Sequence, residues 1–435
     1  MTIESLQKHK RILIVGYGVE GKATEAFLKK HCPDAKIGIA DKKDGEDYLS
    51  KQKDYDLAIK SPGIHPRLMT IPYSTGTNIF MSNYRGKTIG ITGTKGKSTT
   101  TTLVYKMLKQ AGKDAYLGGN IGEPAINLLD KLTDHSWTVL ELSSFQLQDI
   151  QKSPHIAAFL MITPEHLDYH QDEREYLEAK RNILRFQTKE DFAIVNRDYP
   201  ASNDSDILTD GHVYYISRER ETDNSCYAFG ESIWLHKNGH AEEIIKLKDI
   251  LLLGKHNREN VCAAVMAATL AGVTKEDIVA VLTSFTGLEH RLEYVGEQYG
   301  IRFYNDSLAT IPEAAIEGIE AFDDQVETLI AGGHERGSDY TKFGEYLVTS
   351  SVRNLILFSP SGERIWEAVV KAGGEATIKK FDVTSMAQAV FFASEETSPG
   401  KICLMSPAAA SFGVFKDYKE RGDAFKQEVR KLGLA

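Results

Sequence analysis

Apolar residues in this chain gather in short, β-branched runs: "RILIVG", "TIGITG", "TVLELS", "IAAFLMIT", "DFAIVN", "VETLIAGG", "VRNLILF" and "KICLMSP". Between them the spacing turns helical, as in "GVEGKATEAFLKKH" and "KSTTTTLVYKMLKQAG". Leu103, Val104, Met107, Leu108 and Ala111 share one helical face, and Gly112 stands where a helix C-terminus is expected. Strands alternating with helices of this length predict βαβ units and mainly parallel sheets. The stretch 200–250 reads differently. It is polar, with β-like fragments "VYYIS" and "SIWLH", and predicts an antiparallel insertion.

A chain of 435 residues exceeds a single ordinary core. The Gly-, Pro- and Ser-rich stretch "SPGIHPRLMTIPYSTGTNIFMSNYRGK" closes a first α/β unit near residue 84. A second boundary falls near "FTGLEHRLE", before "IRFYND". The division is therefore 1–84, 85–287 and 288–435. Hydrophobic content of 42% beside 26% charged residues is that of a soluble globular protein. No apolar run reaches the roughly 18 residues of a membrane span, so no membrane insertion is expected. Cys32, Cys226, Cys262 and Cys403 lie far apart, without C-x-x-C spacing, which indicates neither a zinc site nor a disulfide framework and fits a cytoplasmic location. A formal charge of -9 argues against broad nucleic-acid binding. An anionic nucleotide would then be met locally, by a few Lys or Arg and a divalent metal.

Such a site is written in "GITGTKGKSTTTT", residues 90–102. The common phosphate loop, Gly-x-x-x-x-Gly-Lys-Ser/Thr, would put its first glycine at position 91, where Ile91 stands; glycines occupy 90, 93 and 96. A Gly-rich turn between a strand and a helix still aims backbone N–H groups and the positive helix end at one point. Gly93, Thr94, Lys95, Gly96 and Thr99 would cradle phosphate, Lys97 would reach the β/γ-phosphates, and Ser98 would offer its hydroxyl to Mg²⁺. "TVLELSSFQLQ" places Glu141 at the end of an apolar run, where a carboxylate is costly unless paired or metal-bound. "ITPEHLDYH" adds Glu165, His166, Asp168 and His170 after another strand end.

The loop GxTGTxGKST resembles that of the Mur ligase family, and ELSSFQL resembles the segment of its glutamate-adding members. The likeness runs from Gly16 to Phe425 through at least seven ordered motifs. It implies three α/β domains: a Rossmann-like UDP-binding domain, a central P-loop ATPase with a mainly parallel sheet, and a Rossmann-like C-terminal domain that takes the acceptor amino acid. It also implies ATP-dependent ligation of D-glutamate to UDP-N-acetylmuramoyl-L-alanine through an acyl phosphate, in peptidoglycan precursor synthesis. Lys97 would be catalytic. Glu141 and His166 would bind Mg²⁺ with the help of Ser98, and Lys180 in "YLEAKRNI" matches a lysine that the family carbamylates to hold a second Mg²⁺. By the same resemblance Asn257 and Asn260 in "GKHNRENVCAA" pack near the adenine, Arg291 in "GLEHRLE" contacts ATP phosphate, and Asp306 in "FYNDSLATIPEA" meets the ribose.

"RILIVGYGVEG" gives Gly16, Gly18 and Gly21 after a strand, with Asp41 twenty residues on, which at face value is a dinucleotide fingerprint. Nothing downstream resembles hydride chemistry, and an oxidoreductase would leave residues 90–99 and Glu141 without a role. The resemblance assigns Gly16, Tyr17, Gly18, Asp41, Ser61, Pro62, Gly63, Asn120 and His166 to the UDP-sugar. It assigns Thr310, Arg336, Ser411, Phe412 and Tyr418 to the acceptor. Three positions depart from the family pattern: Leu308 and Arg336 stand where lysines are common, and Gly413 where an aspartate is common. Alternatives therefore stay open: L-glutamate or another acidic acceptor, or a folylpolyglutamate-type ligase, which would lack the UDP-sugar domain. The working expectation is a monomer.

Overall fold

The computed structural model describes residues 1–433 except Pro164, His166–Asp168, Leu253 and His256. The expected alternation of strands and helices builds three sheets. The first has the order β2-β1-β3-β4, with β1 (Arg11–Val15), β2 (Lys36–Ala40), β3 (Leu57–Lys60) and β4 (Tyr73–Thr75), all parallel. The second holds β5 (Lys87–Thr92), β6 (Ala115–Gly119), β7 (Trp137–Glu141), β8 (Ile156–Phe159), β9 (Phe192–Asn196), β10 (His212–Ser217), β11 (Ser225–Phe229), β12 (Ser232–Lys237) and β13 (His240–Lys246), ordered β13-β12-β11-β10-β9-β8-β5-β7-β6. The third comprises β14 (Glu293–Gln298), β15 (Ile301–Asn305), β16 (Val326–Gly332), β17 (Asn354–Phe358), β18 (Lys379–Val383) and β19 (Ile402–Met405), ordered β14-β15-β19-β16-β17-β18. Only the β14–β15 pair is antiparallel there.

Two compact units contain these sheets. Met1–Ile250, with the chain up to Ser284, carries the first two; the chain from Phe285, with a short stretch beginning at Leu251, carries the third. In the first unit, Ile12, Ile14, Leu57 and Ile59 pack with Phe27, Leu28 and Ile79 of the flanking helices. On the second sheet, Leu140, Phe159, Ala193 and Val195 pack with Tyr176, Ile183 and Leu184. Strands buried on both faces read as continuous apolar runs, which is why "FAIVN" and "IAAF" show no alternation. The third sheet is covered on one face by Phe343, Leu347, Ile365 and Val369, and on the other by Met386, Val390, Phe425 and Val429.

The 200–250 stretch corrects the sequence reading in one respect. "VYYIS" lies in β10, which pairs in parallel with β9, and β11 pairs in parallel with β10. Only β11–β12–β13 form an antiparallel extension. A crossover through the short helix Pro200–Asn203 returns the chain to the starting end of β9, and that return makes the pairing parallel.

Sheet order decides what can meet. With β5 between β8 and β7, and β6 beyond β7, the ends of four parallel strands open at one edge, the position where such sheets bind ligands. Register pairs Ile91 with Glu141 and Gly119 with Glu141. Glu141 is thereby fixed between the start of the Gly-rich loop and Asn120.

Candidate active site

The loop after β5 leads into a helix over Lys97–Gln110, and Gly112 follows that helix with φ +70°. Its N-cap, Gly96, is left-handed at φ +85°; a Cβ there would stand 2.1 Å from Asn260 Oδ1. Glycine is therefore needed both for the turn and for the approach of Asn260. The loop is held from below: Thr94 N–H donates to Met161 O (2.7 Å), and the Thr94 hydroxyl meets Thr163 O (2.8 Å) and Tyr176 Oη (2.9 Å). Lys97 Nζ bends over the loop to Gly93 O (2.9 Å) and Thr94 O (2.7 Å). Asn260 Nδ2 donates to Asn257 Oδ1 at 2.8 Å, and both side chains are buried beside the loop. Thr99 is buried in the first turn of the helix, while Lys95 is half-buried in the loop.

Glu141 is 2% exposed, and both its oxygens are engaged. Ser98 Oγ donates to Oε2 at 2.6 Å, and Asn120 Nδ2 donates to Oε1 at 2.7 Å. A hydroxyl and a carboxylate in contact at the mouth of a phosphate loop form an oxygen-only donor set, which suits a hard cation such as Mg²⁺. Lys180 is also 2% exposed; its Nζ donates to Gly93 O (2.8 Å) and lies 4.9 Å over the Tyr176 ring. Burial, and secondarily the Lys97 charge, hold its amine well below the ordinary lysine range, against the pull of Glu165 and Glu141. His166 and Asp168 lie outside the described residues. His170 is buried, with Nε2 3.0 Å from Ser144 Oγ.

In the first sheet the expected UDP-sugar residues converge at the ends of β1, β2 and β3. Ser61 Oγ donates to Gly16 O at 2.7 Å, and Tyr17 N–H donates to Asp41 Oδ2 at 2.6 Å. That bond and a second from Lys43 N–H hold the Asp41 carboxyl below its usual range. Gly18 caps the helix Val19–His31, and Pro62 and Gly63 continue the loop beyond Ser61.

In the second unit, loops after β15, β16 and β19 carry the expected acceptor residues. The Arg336 guanidinium lies 5.1 Å over the Phe412 ring, which forms a T-shaped pair with the His334 ring at 6.2 Å. Ser411 is buried next to Phe412. Gly413 has φ +93°, a backbone that disfavours the aspartate common at that position. Thr310 and Leu308 are half-buried, and Leu308 N–H donates to His290 O. Tyr418 opens the helix Tyr418–Leu432, and its carbonyl accepts from Ser307 Oγ. Arg421 is buried and binds Ser307 Oγ, Ser307 O and Ala409 O, which ties two of these loops together; burial pushes its guanidinium down to about 10.

Asp306, expected at the ribose, has both oxygens engaged within its own unit. Ser406 Oγ donates to Oδ2 (2.7 Å) and Leu292 N–H to Oδ1 (3.3 Å), which braces the turn bearing half-buried Arg291. Burial pushes its carboxyl up to about 7 from an ordinary 3.8. The folded state therefore binds the extra proton between these values, and stability falls as pH rises through that window. Asp306→Asn should remove this slope. The stability of the parent relative to the variant should decrease from about pH 4 to 7 and then level off, as read from urea unfolding across pH.

Several participants were not singled out from the sequence. Tyr176 lies one helical turn before Lys180, a spacing that could have signalled a ring beneath a lysine. Lys60 and Asp149 form a buried ion pair at 2.6 Å, and Tyr169 contacts the Ser61–Ile64 loop. No local motif marks either.

A Gly-rich loop between a strand and a helix at the opening edge of a parallel sheet, with Ser98 bonded to the buried Glu141 carboxylate beside it, is the arrangement of a P-loop protein that uses a nucleoside triphosphate. Two family models match: Mur ligase middle domain over residues 91–268, and Mur ligase, glutamate ligase domain over 290–409. The UDP-N-acetylmuramoylalanine–D-glutamate ligase of Geobacillus kaustophilus is 37% identical over 455 residues, covering 98% of each chain. Its counterpart in Symbiobacterium thermophilum is 38% identical, over 89% of this chain and 87% of that one. Among solved structures, UDP-N-acetylmuramate-alanine ligase from Thermotoga maritima shares the fold at a TM-score of 0.59 and 16% identity, covering 97% of this chain and 99% of that one. The chain belongs to the Mur ligase family, and is an ATP-dependent ligase.

Proposed function

We propose that this ligase adds D-glutamate to UDP-N-acetylmuramoyl-L-alanine in cytoplasmic peptidoglycan precursor synthesis, acting as a monomer. The observation that carries the reading is the Ser98–Glu141–Asn120 cluster beside the phosphate loop, in a chain whose near-full-length relatives bear that activity in their names. In this reading residues 1–84 take the UDP-sugar, 85–287 take ATP and 288–435 take the acceptor.

The chemistry follows from charge. A carboxylate is a poor acylating agent at neutral pH, so the terminal alanine carboxylate of the UDP-sugar attacks the γ-phosphorus of ATP. A C–O–P bond forms as the bond to ADP breaks. The loop amides and Lys97 stabilise charge developing on the transferred group. Ser98, Glu141 and His166 would hold one Mg²⁺ and carbamylated Lys180 a second, and these ions would supply charge neutralisation at the phosphates. The amine of D-glutamate then attacks the acyl phosphate, and phosphate leaves from the tetrahedral intermediate. Arg336, Thr310, Ser411, Phe412 and Tyr418 orient the acceptor, Arg336 as a fork for one carboxylate. Arg291 meets ATP phosphate, with Asp306 bracing its turn.

Lys180 fits carbamylation because burial favours its neutral amine, the form that adds CO₂. Ligation in CO₂-stripped buffer should therefore fall and recover on adding bicarbonate, while residual activity of Lys180→Ala should ignore both treatments. The reading as a whole is tested by phosphate release with Mg-ATP and UDP-N-acetylmuramoyl-L-alanine, supplying D- and L-glutamate in separate reactions. Release with D-glutamate alone is the expected result. Preference for L-glutamate would keep the ligase chemistry and make Leu308 and Arg336 the seat of altered stereochemistry. Silence with both would overturn the acceptor.

A further inference from the structure

Within the first unit, the Tyr169 side chain joins the Ser61–His65 loop of the first sheet to the segment after β8. The Tyr169 hydroxyl lies 3.3 Å from Pro62 O, 3.3 Å from Ile64 O and 3.1 Å from Gln148 Oε1. A phenol has one proton, so these three acceptors share it. Burial, and then the charges of Asp149 and Glu175, raise the phenol above its ordinary range, so it remains a donor. The ring is fixed independently of the hydroxyl: Phe145 meets it edge-on at 4.5 Å, and His65 and His170 lie at 5.0 and 4.9 Å. A parallel tie runs from His65 Nε2 to Glu175 Oε1 at 3.2 Å, and Glu175 lies in the first turn of the helix that carries Lys180.

The loop thus leans on the segment that precedes the Lys180 helix. Its two carbonyls have a shared donor that belongs to neither the UDP-sugar nor the phosphate loop. We propose that Tyr169 is a positioning residue of ligation, whose hydroxyl ties the UDP-sugar loop to the chain leading into the Lys180 helix so that the substrate carboxylate arrives in register with the phosphate loop. The proposal rests on the reading of Ser61–Gly63 as UDP-sugar contacts. The bonds of Thr94, Lys97 and Ser98 described above end on Met161, Thr163, Tyr176, Gly93, Thr94 and Glu141, not on the Tyr169 hydroxyl. Its influence is accordingly selective for one substrate.

Calorimetry on the full chain separates the outcomes. Tyr169→Phe keeps the ring and its packing and removes only the proton. Binding of UDP-N-acetylmuramoyl-L-alanine, titrated without ATP, should weaken about tenfold, the effect of losing one hydrogen-bond donor to a polar loop. Mg-ADP binding should stay as in the parent, and the thermal midpoint should fall by no more than about a few degrees. Unchanged affinity for the UDP-sugar would overturn the proposal and leave the functional reading intact, and so would equal weakening of both ligands, which marks general loosening. Failure of the parent chain itself to bind the UDP-sugar would overturn the reading, and the proposal with it.

Discussion

Lys97→Met is expected to lower ATP-dependent ligation by about 10²–10³-fold, the loss typical of removing one donor aimed at developing transition-state charge. Methionine keeps the length and apolar body of the side chain, so the helix Lys97–Gln110 and its buried face of Leu103, Val104 and Met107 are retained. What goes is an ammonium held at the loop by Gly93 O and Thr94 O. A second effect follows from charge. Lys97 is one of the causes that depress the Lys180 amine, so its removal moves Lys180 back toward its ordinary range and shrinks the neutral fraction available to CO₂. The variant should bind UDP-N-acetylmuramoyl-L-alanine as the parent does, because the Gly16–Ser61 and Tyr17–Asp41 contacts are untouched. Phosphate-release kinetics beside calorimetric UDP-sugar binding check both halves. A loss of less than tenfold in turnover would remove Lys97 from the transition state.

Local chemistry was legible in the sequence where neighbouring residues perform one task. Gly96, Lys97 and Ser98 are consecutive at a strand-to-helix junction, so their meeting in one turn could be read before any fold was known. Glu141 stood out because a carboxylate inside "TVLELS" needs an explanation. Its partner Asn120 could not be derived from spacing, because their meeting depends on β6 pairing with β7. Nothing in the residue pattern around Lys180 separates it from a solvated helix lysine; burial against Gly93 and Tyr176 gives it a depressed amine, and periodicity does not report which face of a helix is covered. Asp306 shows the same limit: its place at a strand end was legible, while its bond from Ser406, one hundred residues away, was not. Sequence patterns place strand ends well; they do not say what the last side chain meets.

The same blindness hid Lys60, and the largest stability effect is expected there. Lys60 ends β3 with a side chain that is 0% exposed, 2.6 Å from Asp149 Oδ2, itself 5% exposed. The contact pairs two opposite charges away from water, and Asp149 Oδ1 also accepts from Tyr73 Oη at 2.8 Å. Burial lowers the Lys60 ammonium from its ordinary range, and Asp149 opposes that shift. Asp149→Ala would leave a buried cation without its counter-charge, a change that typically removes about 3–5 kcal/mol. Lys60→Met should do less harm, because the remaining carboxylate keeps the Tyr73 hydroxyl. Replacing both, as Lys60→Met with Asp149→Leu, should recover most of the loss, since apolar pairs of similar volume are often neutral substitutes for buried ions. Urea unfolding of the three variants and the parent gives the comparison directly. Equal losses in Asp149→Ala and in the double variant would mean that Asp149 matters through Tyr73 rather than through the charge of Lys60.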